Sequence, residues 1–123
     1  MKKLPLSRLK KKAWKTFSEW IRKRGVDLNG FNVCITCGVR IFWKDGHAGH
    51  YFHSHNSKSF ISEENVNFQC RRCNHFLSGN LLSYHDYMLV QYGQEKIDEL
   101  KSLRYQVWKP SRQELENLIK KYE

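Results

Sequence analysis

Cysteine spacing constrains this chain more than any other feature. Its four cysteines form two Cys-x-x-Cys pairs, Cys34/Cys37 and Cys70/Cys73, separated by residues 38–69. A Cys-x-x-Cys turn points two sulfurs at one ion while its backbone amides hydrogen-bond to them. Two such turns complete a tetrahedral site with metal–sulfur bonds of about 2.3 Å. The long interval between the pairs excludes a short-loop finger and demands a folded excursion that returns to the same ion. A redox-active Cys-x-x-Cys is the alternative, but that reading needs a βαβ setting, and two pairs stand here without one. A structural Zn²⁺ is therefore expected. In a chain with room for one modest core, the metal supplies a large part of the folding free energy.

Charge is concentrated at one end. Of 22 basic and 12 acidic side chains, residues 1–25 hold ten basic ones, Lys2 and Lys3 among them, against the single acid Glu19. Nearly all of the net charge of +10 therefore lies in the first fifth of the chain. Such asymmetry is the footprint of a polyanion-binding arm, with a solvated helix face as the alternative. No apolar run approaches the roughly 20 residues that cross a bilayer. The N-terminus also lacks the apolar run and cleavage site of a signal peptide, so a cytoplasmic protein without membrane contact is expected.

Periodicity then divides the chain. Leu6, Leu9, Ala13, Trp14, Phe17, Trp20 and Ile21 form a helical stripe, with Ser7 as N-cap and Gly25 just past the end. The stripe covers either the domain's own core or a second subunit, while the lysines face away. Val39–Trp43 reads as a strand, Asp45-Gly46 as a hairpin turn and His50–Phe52 as the returning strand. Residues 54–65 are polar and loop-like. Cys70 opens a helix of about two turns that Ser78-Gly79-Asn80 interrupts, and helices follow over 81–92, 94–104 and 111–122. Ser111-Arg-Gln-Glu114 is a capping box. The expectation is an α+β fold in three parts: a basic helical arm (1–25), a zinc-bound core (26–93) and a helical extension (94–123). A knuckle on a hairpin plus a second cysteine pair at a helix N-terminus is the treble-clef arrangement.

Chemistry-bearing residues cluster around this zinc core. His47-Ala-Gly-His50 lies between the cysteine pairs, Asn74 follows Cys73, and Asn65 stands five residues before Cys70. The pattern resembles the HNH, or ββα-metal, nucleases with a zinc-bound core. More narrowly, Ala48-Gly-His-Tyr51, Gln69-Cys-x-x-Cys-Asn74 and Ser78-Gly-Asn80 with Tyr92-Gly-x-Glu95 are similar to the phage NinG (Rap) recombination nucleases. Endonuclease VII-type resolvases share the four cysteines, a ligand-x-x-His strand and Cys-Asn on the helix.

These resemblances imply structure-selective cleavage of branched recombination intermediates, such as Holliday junctions or D-loops, in the host cytoplasm. By the same resemblance, His50 is the general base, Asn74 is a ligand of a catalytic Mg²⁺ or Mn²⁺, and Asn65 ties down the intervening loop. His47 stands where the relatives tend to carry an aspartate. An imidazole suits Mn²⁺, Ni²⁺ or Zn²⁺ better than Mg²⁺, so either the metal preference has shifted or Asp45 reaches the ion instead. Lys10, Lys11, Lys12, Lys15, Lys58, Arg71 and Arg72 are the candidate DNA contacts. His53 and His55 contact phosphate or are simply exposed, and His75 and His85 are helix-surface residues. Two cuts per junction make a homodimer attractive, with the aromatic stripe as its candidate interface. A recombinase partner cannot be named. The rival reading is a non-catalytic zinc module that binds nucleic acid, such as a recombination accessory factor.

Overall fold

The computed structural model describes residues 3–53 and 55–123. Lys2 of the basic segment and Ser54 of the polar loop lie outside these. The described residues fold as four α-helices around two small antiparallel sheets, an α+β arrangement.

Helix α1 (Leu6–Lys23) is the spine of the molecule. Leu9, Ala13, Phe17 and Ile21, spaced by four, form its buried stripe. They pack on Leu115, Ile119 and Tyr122 of α4 (Arg112–Tyr122) and on Val66 of the second sheet. Phe17 and Trp20 meet the Tyr122 ring edge-on at 4.8 and 5.0 Å between centroids. The aromatic stripe therefore covers the chain's own core and is not a free dimer interface. The helix begins two residues earlier than expected, with Pro5 rather than Ser7 at the N-cap position and no side-chain cap. Gly25, at φ +82°, ends it as the spacing predicts.

Part of the basic segment is structural. The Arg24 guanidinium donates to the carbonyls of Glu63 and Val66, both at 3.0 Å, and to Asn67 Oδ1 at 3.1 Å. It thereby fastens α1 to the second sheet.

The first sheet pairs β1 (Phe31–Val33) with β2 (Arg40–Phe42) across the Cys34–Cys37 turn. The expected hairpin at Asp45-Gly46 does not form. A 3₁₀ turn at Trp43–Asp45 carries the chain from β2 into a different sheet, where β3 (His47–His50) pairs with β4 (Val66–Gln69). Gly46 serves packing: a Cβ there would stand 2.2 Å from the Phe68 ring. The returning strand is thus His47–His50 rather than His50–Phe52, and its partner lies beyond the loop 51–65.

After Cys70 comes one wide turn of π-helix, Arg72–Phe76, closed by Leu77 N donating to the Arg72 carbonyl at 2.8 Å. Helices α2 (Leu81–Gln91) and α3 (Gln94–Arg104) bury Tyr84, Met88, Ile97 and Leu100 against Ile35, Tyr51 and Phe52. Half of the expected capping box is present at α4, where Ser111 Oγ accepts from Glu114 N at 3.1 Å. Among the described residues, no helix is long and apolar enough to cross a membrane.

Candidate metal and catalytic site

The two cysteine pairs meet because their strands meet. Ile35 N, inside the first turn, donates to the Phe68 carbonyl of β4 at 3.0 Å, and β4 runs directly into Cys70. All four sulfurs lie within 4.8 Å of one another, with Cys37 and Cys70 at 3.7 Å. A tetrahedron with bonds of about 2.3 Å has edges of about 3.8 Å, so this donor set could hold a metal ion and is consistent with a structural zinc.

The surroundings favour a thiolate at Cys34 and disfavour one at Cys37 and Cys70. Burial pushes the Cys34 thiol up, but hydrogen bonds from the Thr36 hydroxyl and from nearby backbone amides outweigh it and bring the group down to about 6. Burial raises Cys70, with the Cys34 charge beside it adding to the effect. Without a cation the thiolate charge settles unevenly; a dication lets all four ionise together.

Strand β3 carries both histidines, but three residues apart they face opposite sides. His47 turns toward the π-helical turn, where its Nδ1 meets Asn74 Nδ2 at 3.0 Å. Burial lowers its pKa, and Arg71, His75 and Arg22 add to the effect, which favours the neutral ring whose Nδ1 accepts from the Asn74 amide. Asp45, the alternative ligand, is exposed on the 3₁₀ turn. Of the two, His47 is the residue the fold brings to Asn74.

Gly49 and Gln69 complete this side. Gln69 is fully buried, and its Nε2 donates to Thr36 Oγ1 at 3.1 Å and to the Gly79 carbonyl at 2.9 Å, linking the knuckle to the segment after the π-turn. Its Oε1 packs against Gly49 so closely that a Cβ there would stand 1.9 Å from it and 3.0 Å from Asn74 Oδ1.

His50 turns the other way, toward α1 and the loop. Its Nε2 lies 2.9 Å from the Phe60 carbonyl. A carbonyl only accepts, so Nε2 carries the hydrogen and Nδ1 keeps the lone pair. Burial drives the His50 pKa down to about 4 against the pull of that carbonyl, with His53 and His55 adding to the depression. Its ring forms a triangle with Trp14 and Phe60, all three centroid separations being 4.8 to 5.0 Å.

Asn65 holds the loop that presents Phe60. It is fully buried, its Nδ2 donates to the carbonyls of Phe52 (3.0 Å) and Ser59 (2.9 Å), and its Oδ1 accepts from Phe52 N at 2.9 Å. The buried Tyr84 hydroxyl donates to the Gly49 carbonyl at 2.7 Å and accepts from Asn67 Nδ2 at 3.1 Å, fixing the strand between the two histidines.

The basic residues do not form one patch. Lys10 and Lys11 border a groove with His50, whereas Lys12 faces a separate hollow against α4 with Arg112 and Lys120. Lys15 and Lys58 are exposed, as are Arg71, which lies over the Phe76 ring, and Arg72. His75 is exposed, His53 and His55 stand at the loop, and His85 Nδ1 bonds the Tyr51 hydroxyl at 2.6 Å.

The residues to which motif reading gives no role at the site are Trp14, Phe60, Tyr84 and Gln69. Trp14 carried a signal, as an aromatic on the inner face of a basic helix. Tyr84 and Phe60 carried none, because their roles depend on long-range placement.

The family described as Bacteriophage Lambda NinG protein matches residues 1–123, the whole chain. The chain belongs to the NinG family. Protein ninG of Escherichia phage lambda is 34% identical over 93 residues, which cover 75% of this chain and 43% of that protein. Protein ninG of Escherichia phage 933W is likewise 34% identical, over 75% of this chain and 44% of the relative. Protein ninG of Salmonella phage P22 is 32% identical, over 75% and 43%. The match thus spans less than half the length of these NinG relatives. No solved structure matches the chain.

Proposed function

We propose that this NinG-family chain is a metal-dependent, structure-selective DNA endonuclease of the HNH-like, ββα-metal kind. Its substrates would be branched recombination intermediates in the host cytoplasm, and its core a zinc-bound treble clef. One observation carries the reading: His50 is locked as the tautomer whose Nδ1 keeps its lone pair, by a carbonyl in a loop that Asn65 pins. A binding surface has no use for a neutral, oriented imidazole; a general base does.

In this mechanism His50 Nδ1 takes a proton from water, and the resulting hydroxide attacks phosphorus as the 3′ oxygen leaves. In place of the Asn74–His47 hydrogen bond, His47 Nδ1 and, with the amide turned over, Asn74 Oδ1 would hold a divalent cation, which would supply charge stabilisation at the phosphate and the leaving oxygen. An imidazole with an amide oxygen fits Mn²⁺ better than Mg²⁺. Arg71 beside His47 would take a phosphate oxygen. Among the described residues β3 pairs along one edge only, so a phosphodiester lying along the other edge would reach residues of both faces. The division into arm, core and extension, and a homodimer for paired cuts, belong to the same proposal.

A synthetic four-way junction with Mg²⁺ or Mn²⁺ tests the reading on wild-type protein and His50→Ala. Metal-dependent nicking lost in the variant is expected; junction binding without nicking by wild type would sink the proposal. The second reading, a non-catalytic DNA-binding module, draws on the cationic neighbours of His47, which suit a phosphate without a metal.

A further inference from the structure

The basic face of α1 and the His50 triad meet in one groove of about 460 Å³, bordered by Lys10, Lys11, Trp14, His55 and Phe60. We propose that this groove binds one unpaired nucleotide of a DNA strand, next to the bond that His50 addresses. The inference rests on the endonuclease reading for its location, though not for its chemistry.

Size, charge and surface agree on the occupant. The volume falls within the range of about 300–1,000 Å³ typical of small-molecule sites. The floor is aromatic: Phe60 is buried, Trp14 partly so, and the exposed His55 ring stands 5.2 Å from Phe60. Aromatic rings at a basic wall are how proteins hold single strands, because every base offers a π-face whatever its sequence. Two lysine side chains border the groove. Lys11 is exposed, while Lys10 is partly buried and lies 5.0 Å over the Trp108 ring, so its charge is held near the groove. A base stacked inside a duplex cannot enter, so occupancy demands an unpaired nucleotide, which a branch point supplies. The groove would thereby contribute to structure selectivity without reading sequence.

Helix geometry provides an internal control. Three consecutive lysines carry the same charge, but Lys12 points into the hollow against α4. A diffuse electrostatic arm would value all three alike; a built groove values Lys10 and Lys11 alone.

The experiment is a fluorescence-anisotropy titration of the zinc-loaded chain with a labelled oligothymidylate and with a blunt duplex of equal charge. Wild type should prefer the single strand. Lys11→Ala and His55→Ala, both exposed side chains whose loss leaves folding intact, should each weaken that binding about three- to tenfold. Lys11→Ala should also lower the salt slope by about 0.7, and Lys12→Ala should do neither. Equal losses at Lys11 and Lys12, no loss at His55, or a preference for duplex would each overturn the groove. Junction nicking separates the two ideas: nicking with equal lysine effects refutes the groove alone, and groove binding without nicking refutes the endonuclease alone.

Discussion

Replacing His50 by Phe should flatten the acid side of this protein's stability curve. Burial lowers the folded His50 pKa from 6.5 to about 4. As pH falls through 6.5, the ring of the unfolded chain takes up a proton while the folded ring stays neutral until about pH 4. The unfolded state then binds more protons, and stability declines with falling pH. Between about pH 7.5 and about pH 5.5 the linkage removes roughly 1.4 kcal/mol, a tenfold change in the folded-to-unfolded ratio. His50→Phe keeps ring contacts with Trp14 and Phe60 but leaves the Phe60 carbonyl without its donor, a cost of about 1 kcal/mol at neutral pH. Wild type should therefore be the more stable protein near pH 7.5, with the two curves meeting or crossing near pH 5.5. Urea unfolding followed by circular dichroism, at both pH values and with zinc present, reads the difference directly. The cysteines titrate alike in both proteins and drop out of the comparison. A parallel decline of the two proteins would show that burial does not hold the ring neutral.

Two further outcomes follow from the packing. The four cysteines should bind one zinc per chain by elemental analysis, and Cys70→Ser or chelation should unfold the chain, because those sulfurs join the knuckle to the π-turn; metal-free protein with an unchanged melting temperature would refute the structural zinc. Tyr84→Phe removes a fully buried hydroxyl from the Gly49 carbonyl and Asn67 and should cost about 1–3 kcal/mol in urea unfolding, while a loss below about 0.5 kcal/mol would mean that the strand holds its position unaided.

Particular residues show where sequence reading succeeded. The stripe on α1, Gly25 at its end and the Ser111 cap are local features, set by periodicity and backbone preference over a few residues, and they stand where the pattern puts them. The Asp45-Gly46 hairpin failed for a tertiary reason. Strand β2 takes its partner from β1 across the knuckle, so β3 must pair with β4 instead. The basic segment also reads differently in three dimensions. Arg24 is spent on fastening α1 to the sheet, and Lys12 turns away from Lys10 and Lys11.

The sequence alone determined the paired cysteines, the helices α1 to α4 and the residues with chemistry to offer, because cysteine spacing and hydrophobic periodicity are local properties, whereas the helix expected from Cys70 shortened to one π-turn. The tertiary structure alone decided which partners those residues meet. It sends His47 to Asn74 and His50 to Phe60, since neighbouring positions on a strand alternate faces and each face here has a different neighbour. It also turns the aromatic stripe inward, because α4 returns from the far end of the chain to cover it. Such choices depend on contacts between residues tens of positions apart, which no local pattern encodes.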